Sequence, residues 1–204
     1  MNEHSSIAKK LKDGMQQLGI NASAEPLLHY LQLLQKWNKA YNLTAIQDLS
    51  AMVTRHVLDS LAVVPWVKGT RVLDVGSGAG LPGIPLALVR PELEVVLLDS
   101  NGKKTRFLHE VKRVLSLHNV DIVQTRVESY HPAQGFDTVI SRAFSDLQQM
   151  IKWTHHLVAE DGIWLAMKGR RPEAELTAIP YAYQVESYKI AGMDGERCCV
   201  IISK

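Results

Sequence analysis

Between Leu73 and Leu81 the chain reads LDVGSGAGL, with glycines at the alternate positions 76, 78 and 80 and a further one at Gly83. Nothing else in the sequence limits the fold so strongly. The β-branched run RVLDVG passes directly into the glycines, and PGIPLALVR follows as a helix with prolines in its first turn, where a missing N–H costs little. Strand, glycine turn and helix in that order open a doubly wound α/β sheet, whose ligand lies at the carboxyl ends of the strands where the strand order reverses. A bare turn would need fewer glycines. Alternate glycines let the backbone turn sharply and let a ligand approach it closely.

The rest of the chain agrees. EVVLLD, VDIVQT, FDTVIS and GIWLAMK read as further strands, separated by helices over GKKTRFLHEVKRVLSL and between Phe144 and Val158. YQVESYKI and RCCVIISK, joined by AGMDGE, read as an antiparallel hairpin. The first 67 residues contain no strand pattern. Ile7, Leu11, Met15 and Leu18 recur at helical spacing, as do Leu27, Leu28, Leu31, Leu34 and Trp37, and a third helix is expected from about Ser50 to Val64, stopping at Pro65. The expected fold class is α/β: a Rossmann-like, mostly parallel seven-stranded sheet with a C-terminal antiparallel hairpin over residues 68–204, preceded by a helical N-terminal extension over 1–67.

Composition excludes several classes. The 23 Lys and Arg nearly balance the 21 Asp and Glu, a net of +2, so bulk charge alone argues for no polyanion partner. The only cysteines, Cys198 and Cys199, are adjacent, which excludes a disulfide framework, points to a reducing compartment and leaves no C-x-x-C for zinc. MNEHSSIAKKLKDG lacks a signal-peptide core and no apolar run is long enough to span a bilayer, so a soluble cytoplasmic protein is expected, with no membrane and no metal.

The glycine stretch fits two cofactors. From Gly78 it is G-x-G-x-x-G, the dinucleotide fingerprint; from Asp74 it is D-x-G-x-G. A dinucleotide needs free N–H groups at the helix start for its pyrophosphate. Pro82 and Pro85 remove two of them, and the Asp74 carboxylate would repel phosphates. S-adenosylmethionine (SAM) has no phosphate and carries an ammonium and a sulfonium, both of which suit a carboxylate at the end of the first strand. Asp99, ending the second strand, is placed for the ribose hydroxyls of either cofactor, its plainer alternative being a helix N-cap. The expectation is the class I SAM-dependent methyltransferase fold. An NAD(P)-dependent oxidoreductase is the rival enzyme, and a catalytically silent RNA-binding protein of the same fold is the rival of another class.

DVGSGAGLPGIPLA, LLDSNGKKTRFL, RVESY, VISRAF and DGERCCVIISK, with WNKAYNLTAI and RHVLDSLAV ahead of them, resemble in order the segments of the bacterial RsmG family, formerly called glucose-inhibited division protein B. The resemblance runs from about residue 30 to the end. It implies methyl transfer from SAM to N7 of a guanine in 16S ribosomal RNA, guanine 527 in the 530 loop, with 16S rRNA or a precursor of the small ribosomal subunit as partner; a monomer is expected, though nothing in the sequence fixes the oligomeric state. It implies cofactor contacts from Gly76 and Leu81, where many members carry phenylalanine, from Val127 and Glu128 at the adenine, from Asp99 at the ribose, and from Arg142. Val127 is suited to packing on a flat base; Glu128 is equally readable as a solvated acid. A cation beside a sulfonium is unfavourable, so Arg142 is expected to grip the methionine carboxylate or an RNA phosphate, unless it only makes a surface salt bridge.

For RNA, Lys168, Arg170 and Arg171 follow the fifth strand at the sheet's carboxyl edge and are the expected phosphate contacts. Lys103, Lys104 and Arg106, and Lys9, Lys10 and Lys12, form two further clusters, the latter read as a solvated face. Trp37, Tyr41 and His56 are the rings able to stack on a base, of which Trp37 is expected to pack in the core instead. No catalytic residue is expected. ISRAF offers no acid, cysteine or Asn-Pro-Pro in its stretch, guanine N7 has no proton to lose, and Asp146 is the nearby acid able to contradict that.

Overall fold

The computed structural model describes residues 3–142, 144 and 146–204, without the side chains of Glu3 and His4. Helix α1 (Glu3–Gln17) buries Ile7, Leu11 and Met15, and α2 (Glu25–Tyr41) buries Leu27, Leu31 and Leu34. Pro26 stands in the first turn of α2, and Asn42 ends it in the left-handed conformation, where asparagine is tolerated. The third helical run differs from expectation. It consists of α3 (Leu49–Met52), a π-helical turn (Val53–Leu58) and α4 (Asp59–Leu61), and Pro65 falls inside a separate 3-10 turn, Val64–Trp66. Apolar periodicity does not register the widening of a helix by a π-turn, and such turns gather at functional sites.

Then come β1 (Arg71–Val75), α5 (Gly83–Val89), β2 (Glu94–Asp99), α6 (Gly102–Val114), β3 (Val120–Gln124), β4 (Phe136–Ser141), α7 (Leu147–Thr154), β5 (Val158–Lys168), a single turn α8 (Glu173–Leu176), β6 (Tyr183–Tyr188) and β7 (Arg197–Ser203). The seven strands lie in the order β3-β2-β1-β4-β5-β7-β6. From β3 through β5 the pairing is parallel; β7 enters antiparallel between β5 and β6. This is the expected α/β architecture with its final hairpin, and the strand order reverses between β1 and β4. Strand β5 is longer than GIWLAMK, because Val158 already pairs with Phe136 before a register shift. The turn α8 is too short to carry a periodic signal.

The helices ahead of β1 do not sit apart from the sheet. Ile7, Leu11 and Leu34 share one continuous apolar cluster with Val72, Leu97, Phe107 and Ile140. Trp37 stacks on Tyr41 with ring centres 5.1 Å apart and leans on Phe107 at 5.7 Å, a packing role as expected. The buried Tyr30 hydroxyl donates to the Ala79 carbonyl at 2.8 Å, tying α2 to the glycine loop. Lys10 also holds α1 to the third helical run, through the Ser50 carbonyl and hydroxyl at 2.9 Å.

Candidate functional site

Gly76, Gly78 and Gly80 have φ of 69°, 60° and 90°, a region side chains rarely adopt. Their surroundings differ. A Cβ on Gly80 would fall 2.5 Å from Ile84 Cγ1 and 2.8 Å from Leu108 Cδ2, whereas one on Gly78 would meet nothing nearer than 3.8 Å. Gly80 serves packing of loop on helix; Gly78 faces open space. The loop is anchored by the Gly76 N–H, which donates to the Leu98 carbonyl at 2.8 Å.

The start of α5 has no spare donors. The Gly83 N–H goes to Asp74 Oδ2 at 2.8 Å, the Ile84 N–H to the Gly80 carbonyl at 2.7 Å, and Pro82 and Pro85 have none. A pyrophosphate therefore finds no N–H there, which removes the physical basis of the dinucleotide alternative.

Two cavities flank the loop and meet at Gly76. One, of about 310 Å³, is bordered by Gly76, Asp99, Val127, Glu128, Phe144 and Trp153. The other, of about 200 Å³, is bordered by Leu43, Thr44, Gly76, Gly78, Leu81 and Arg142. Flat apolar walls on one side and a polar loop on the other suit a purine nucleoside joined to a charged chain, the shape of SAM. Five of the expected contacts, Asp99, Val127 and Glu128 in the first cavity and Leu81 and Arg142 in the second, are thus brought together around Gly76 and Gly78. Asp99 accepts from the Gly78 N–H at 2.9 Å and the Asn101 N–H at 2.8 Å, and lies 3.6 Å from the Lys104 ammonium. Asn101, not Asp99, caps α6.

Asp74 is placed differently from the expectation of a direct contact. It lies beneath the loop, fully buried, and borders neither cavity. One oxygen holds Gly83 and the other, Oδ1, is buried without a hydrogen bond. Burial pushes its carboxyl up to about 7, with the Gly83 N–H and Arg142 pulling the other way.

Arg142 follows the last residue of β4 and borders three cavities, so it joins the glycine-loop side to the outer face. Its guanidinium donates to the Arg55 carbonyl at 3.2 Å and lies 3.6 Å from Asp59 Oδ2. Of the group around it, Arg55, His56, Asp59, Tyr188 and Arg197, sequence reasoning had singled out only His56. The π-turn carries the first two and leads into Asp59. His56 is buried, with Nε2 accepting from the Thr44 hydroxyl at 2.8 Å and Nδ1 donating to the Arg55 carbonyl at 3.1 Å. Burial and then Arg142 lower its pKa to about 4, so it is neutral at neutral pH. The available signal was a lone acid in the apolar run VLDSLAVV.

At the outer edge the basic cluster divides. Lys168 is a correction: its side chain is only 10% exposed and is ion-paired with Glu175 at 2.8 Å, because the turn of α8 folds back over the end of β5. Arg171 pairs with Glu173 at 2.8 Å and stays exposed; Arg170 is exposed with no ion pair among the described residues. Asp146 caps α7 through the Gln149 N–H at 2.8 Å. Among the described residues no group of three or more His, Cys, Asp and Glu side chains could hold a metal, and no helix is long and apolar enough to cross a membrane.

Solved structures with this fold include a SAM-dependent methyltransferase from Aquifex aeolicus, at a TM-score of 0.58 and 16% identity over 82% of this chain and 96% of that one. TYW2 from P. horikoshii in complex with MeSAdo aligns at a TM-score of 0.53 and 16% identity, over 72% of this chain and 61% of that one. In sequence, the chain is 58% identical to the ribosomal RNA small subunit methyltransferase G of Legionella pneumophila (strain Philadelphia 1), across 100% of this chain and 98% of that protein. It is 52% identical to the protein of the same description from Ectopseudomonas mendocina, covering 97% and 96%. The model of the GidB family, described as rRNA small subunit methyltransferase G, matches residues 23–196. A class I methyltransferase sheet, a glycine loop without a phosphate site and full-length likeness in sequence converge: the chain belongs to the rRNA small subunit methyltransferase G family.

Proposed function

We propose that this protein transfers a methyl group from SAM to N7 of a guanine in 16S ribosomal RNA, within the free RNA or a small-subunit precursor. The carrying observation is how the acids and the imidazole around Arg142 are occupied. Asp146 is spent as a helix cap, the imidazole of His56 is held on both nitrogens, and Asp59 is ringed by Arg142, Arg197 and Tyr188. SAM supplies an electrophilic methyl on its sulfonium. Gly76 and Gly78 offer their backbone, Asp99 offers a ribose acceptor, Val127 and Glu128 border the adenine space, Leu81 borders the methionine half, and Arg142 bridges to the RNA side. A nitrogen with a free lone pair needs only alignment at about 3–3.5 Å from the methyl carbon. The single-turnover rate with RNA and SAM saturating is therefore expected to be nearly flat from about pH 6 to pH 9. A unit-slope rise to a plateau that disappears in Asp146→Asn would overturn the reading. Mapping labelled methyl in total RNA from a strain lacking the protein locates the target base and atom.

The exposed pair Arg170 and Arg171 is the RNA-facing part of the basic edge in this reading. Their double replacement by alanine is expected to weaken RNA binding and to lower the slope of log affinity against log salt by roughly one per lost phosphate contact. SAM affinity should stay as in the parent. An unaltered salt slope would assign both side chains to a merely solvated face.

A further inference from the structure

We propose that the cavity bordered by Arg55, His56, Asp59, Arg142, Tyr188 and Arg197 receives the target base, and that Asp59 and Arg197 read the Watson–Crick edge of a guanine there. The inference rests on the reading that this family member methylates a guanine at N7. The cavity measures about 340 Å³, within the range of small-ligand pockets, and shares Arg142 with the glycine-loop cavity, so its occupant lies next to the cofactor.

Its chemistry selects a base over a phosphate. Although Arg55, Arg142, Lys168 and Arg197 border it, a carboxylate only 4% exposed, that of Asp59, stands among them, and a carboxylate repels a phosphate at close range. Ile46 and Met167 supply apolar wall for a flat ring. The acid is not fully engaged. Arg142 and Arg197 lie 3.6 and 3.4 Å from its oxygens, longer than the 2.7–2.9 Å of a charge-assisted bond, and Tyr188 donates at 3.1 Å. Burial raises the Asp59 carboxyl while Arg142, Arg197 and Tyr188 draw it down. Arg197 Nε, buried, is the atom 3.4 Å from Asp59 and makes no hydrogen bond of good geometry, while the rest of its side chain is 30% exposed. Two carboxylate oxygens beside the partly exposed guanidinium of Arg197 are the complement of a guanine's N1–H, exocyclic amine and O6. Adenine presents an acceptor at N1, and cytosine an acceptor at N3, so each opposes the carboxylate with a lone pair. With that edge held, N7 lies on the far side of the base. Reaching N7 in paired RNA requires such extrusion, because the A-form major groove is too deep and narrow.

The test compares small-subunit substrate carrying guanosine, inosine or 7-deazaguanosine at the mapped target position. Inosine keeps N7, O6 and N1–H but lacks the amine. At subsaturating RNA and saturating SAM, the wild type is expected to methylate inosine substrate about 10- to 100-fold more slowly, the cost of one hydrogen bond to a charged group. Asp59→Asn, whose amide offers a donor where an acceptor is needed, should retain SAM affinity but shrink that ratio to about threefold or less. Tyr188→Phe, a milder change that covers a failure of Asp59→Asn to fold, should shrink it about two- to fivefold. Equal wild-type rates on guanosine and inosine, or full discrimination in the variants, would overturn the proposal. Methylation of 7-deazaguanosine substrate would instead sink the N7 reading, and the inosine ratio would still report on the pocket.

Discussion

Replacing Gly78 by valine is expected to abolish SAM binding, a loss of at least about 100-fold, in a protein that still folds. The position has φ of 60°, which strains a β-branched residue by about 1–3 kcal/mol, but its added Cβ would meet nothing nearer than 3.8 Å. The branched side chain then occupies volume the ligand needs. Gly80→Ala, a smaller change two residues on, should do the opposite damage. Its Cβ would intrude on Ile84 and Leu108 from a backbone of φ 90°, which costs about 2–4 kcal/mol of stability. Titration calorimetry with SAM and thermal unfolding on both variants separate the two roles. A folded Gly78→Val protein that binds SAM with parental affinity would refute the placement of the cofactor against this loop.

Asp74→Asn is expected to trade binding for stability. The carboxyl of Asp74 titrates near 7 in the folded protein against an ordinary value of about 3.8, because it is buried. The fold thus favours the protonated form. The stabilisation that the neutral acid permits is complete below pH 3.8 and is lost as pH rises through 7, a swing of the order of 4 kcal/mol. Asparagine keeps the acceptor for the Gly83 N–H without the buried charge, so the ligand-free variant should be more stable than the parent by about 2–4 kcal/mol at pH 8 and no more stable at pH 4. SAM, a cation, draws out the carboxylate. Wild-type affinity should therefore climb with pH towards a slope of about one per unit below pH 7 and level above it, whereas the variant should bind about 10- to 100-fold more weakly at pH 8 with no such climb. Parallel pH curves for the two proteins would show that the charge beneath the loop plays no part in holding the cofactor.

The sheet and its ligand end were legible in the sequence because each strand is a short β-branched run followed by a turn or helix signal, and because the glycines and prolines state their backbone demands locally. Val127 and Glu128 follow the end of β3 and Asp99 closes β2, where the fold alone nearly places them. The chemistry around Asp59 was not legible in that way. Asp59 and Arg197 are separated by most of the chain and meet because β7 runs inside the sheet and a π-turn rotates the third helical run, neither of which periodicity reveals. Lys168 misled for a related reason. Its partner Glu175 lies on a single turn, invisible to any helical pattern, and the pair forms only once that turn folds over the strand end. Asp74 was read correctly as an acid at the first strand's end, but sequence does not tell whether an acid lines a cavity or lies under its floor.

The position of β7 also governs the order in which the molecule comes into being. Among the seven strands it is the latest to be synthesised, yet it occupies an inner lane, paired to β5 along Ile163–Lys168 and to β6 along Tyr183–Tyr188. While a nascent chain grows from its N-terminus, the helices and the five parallel strands have their partners, but β5 shows a bare edge and β6 has nothing to join. Both wait for Arg197–Ser203. Arg197 arrives with that strand, so the pocket at Asp59 is unfinished until then. A chain stalled or cut before residue 197 is therefore left with a sticky, open β5 and no Asp59–Arg197 pair, and quality control meets an unfinished protein.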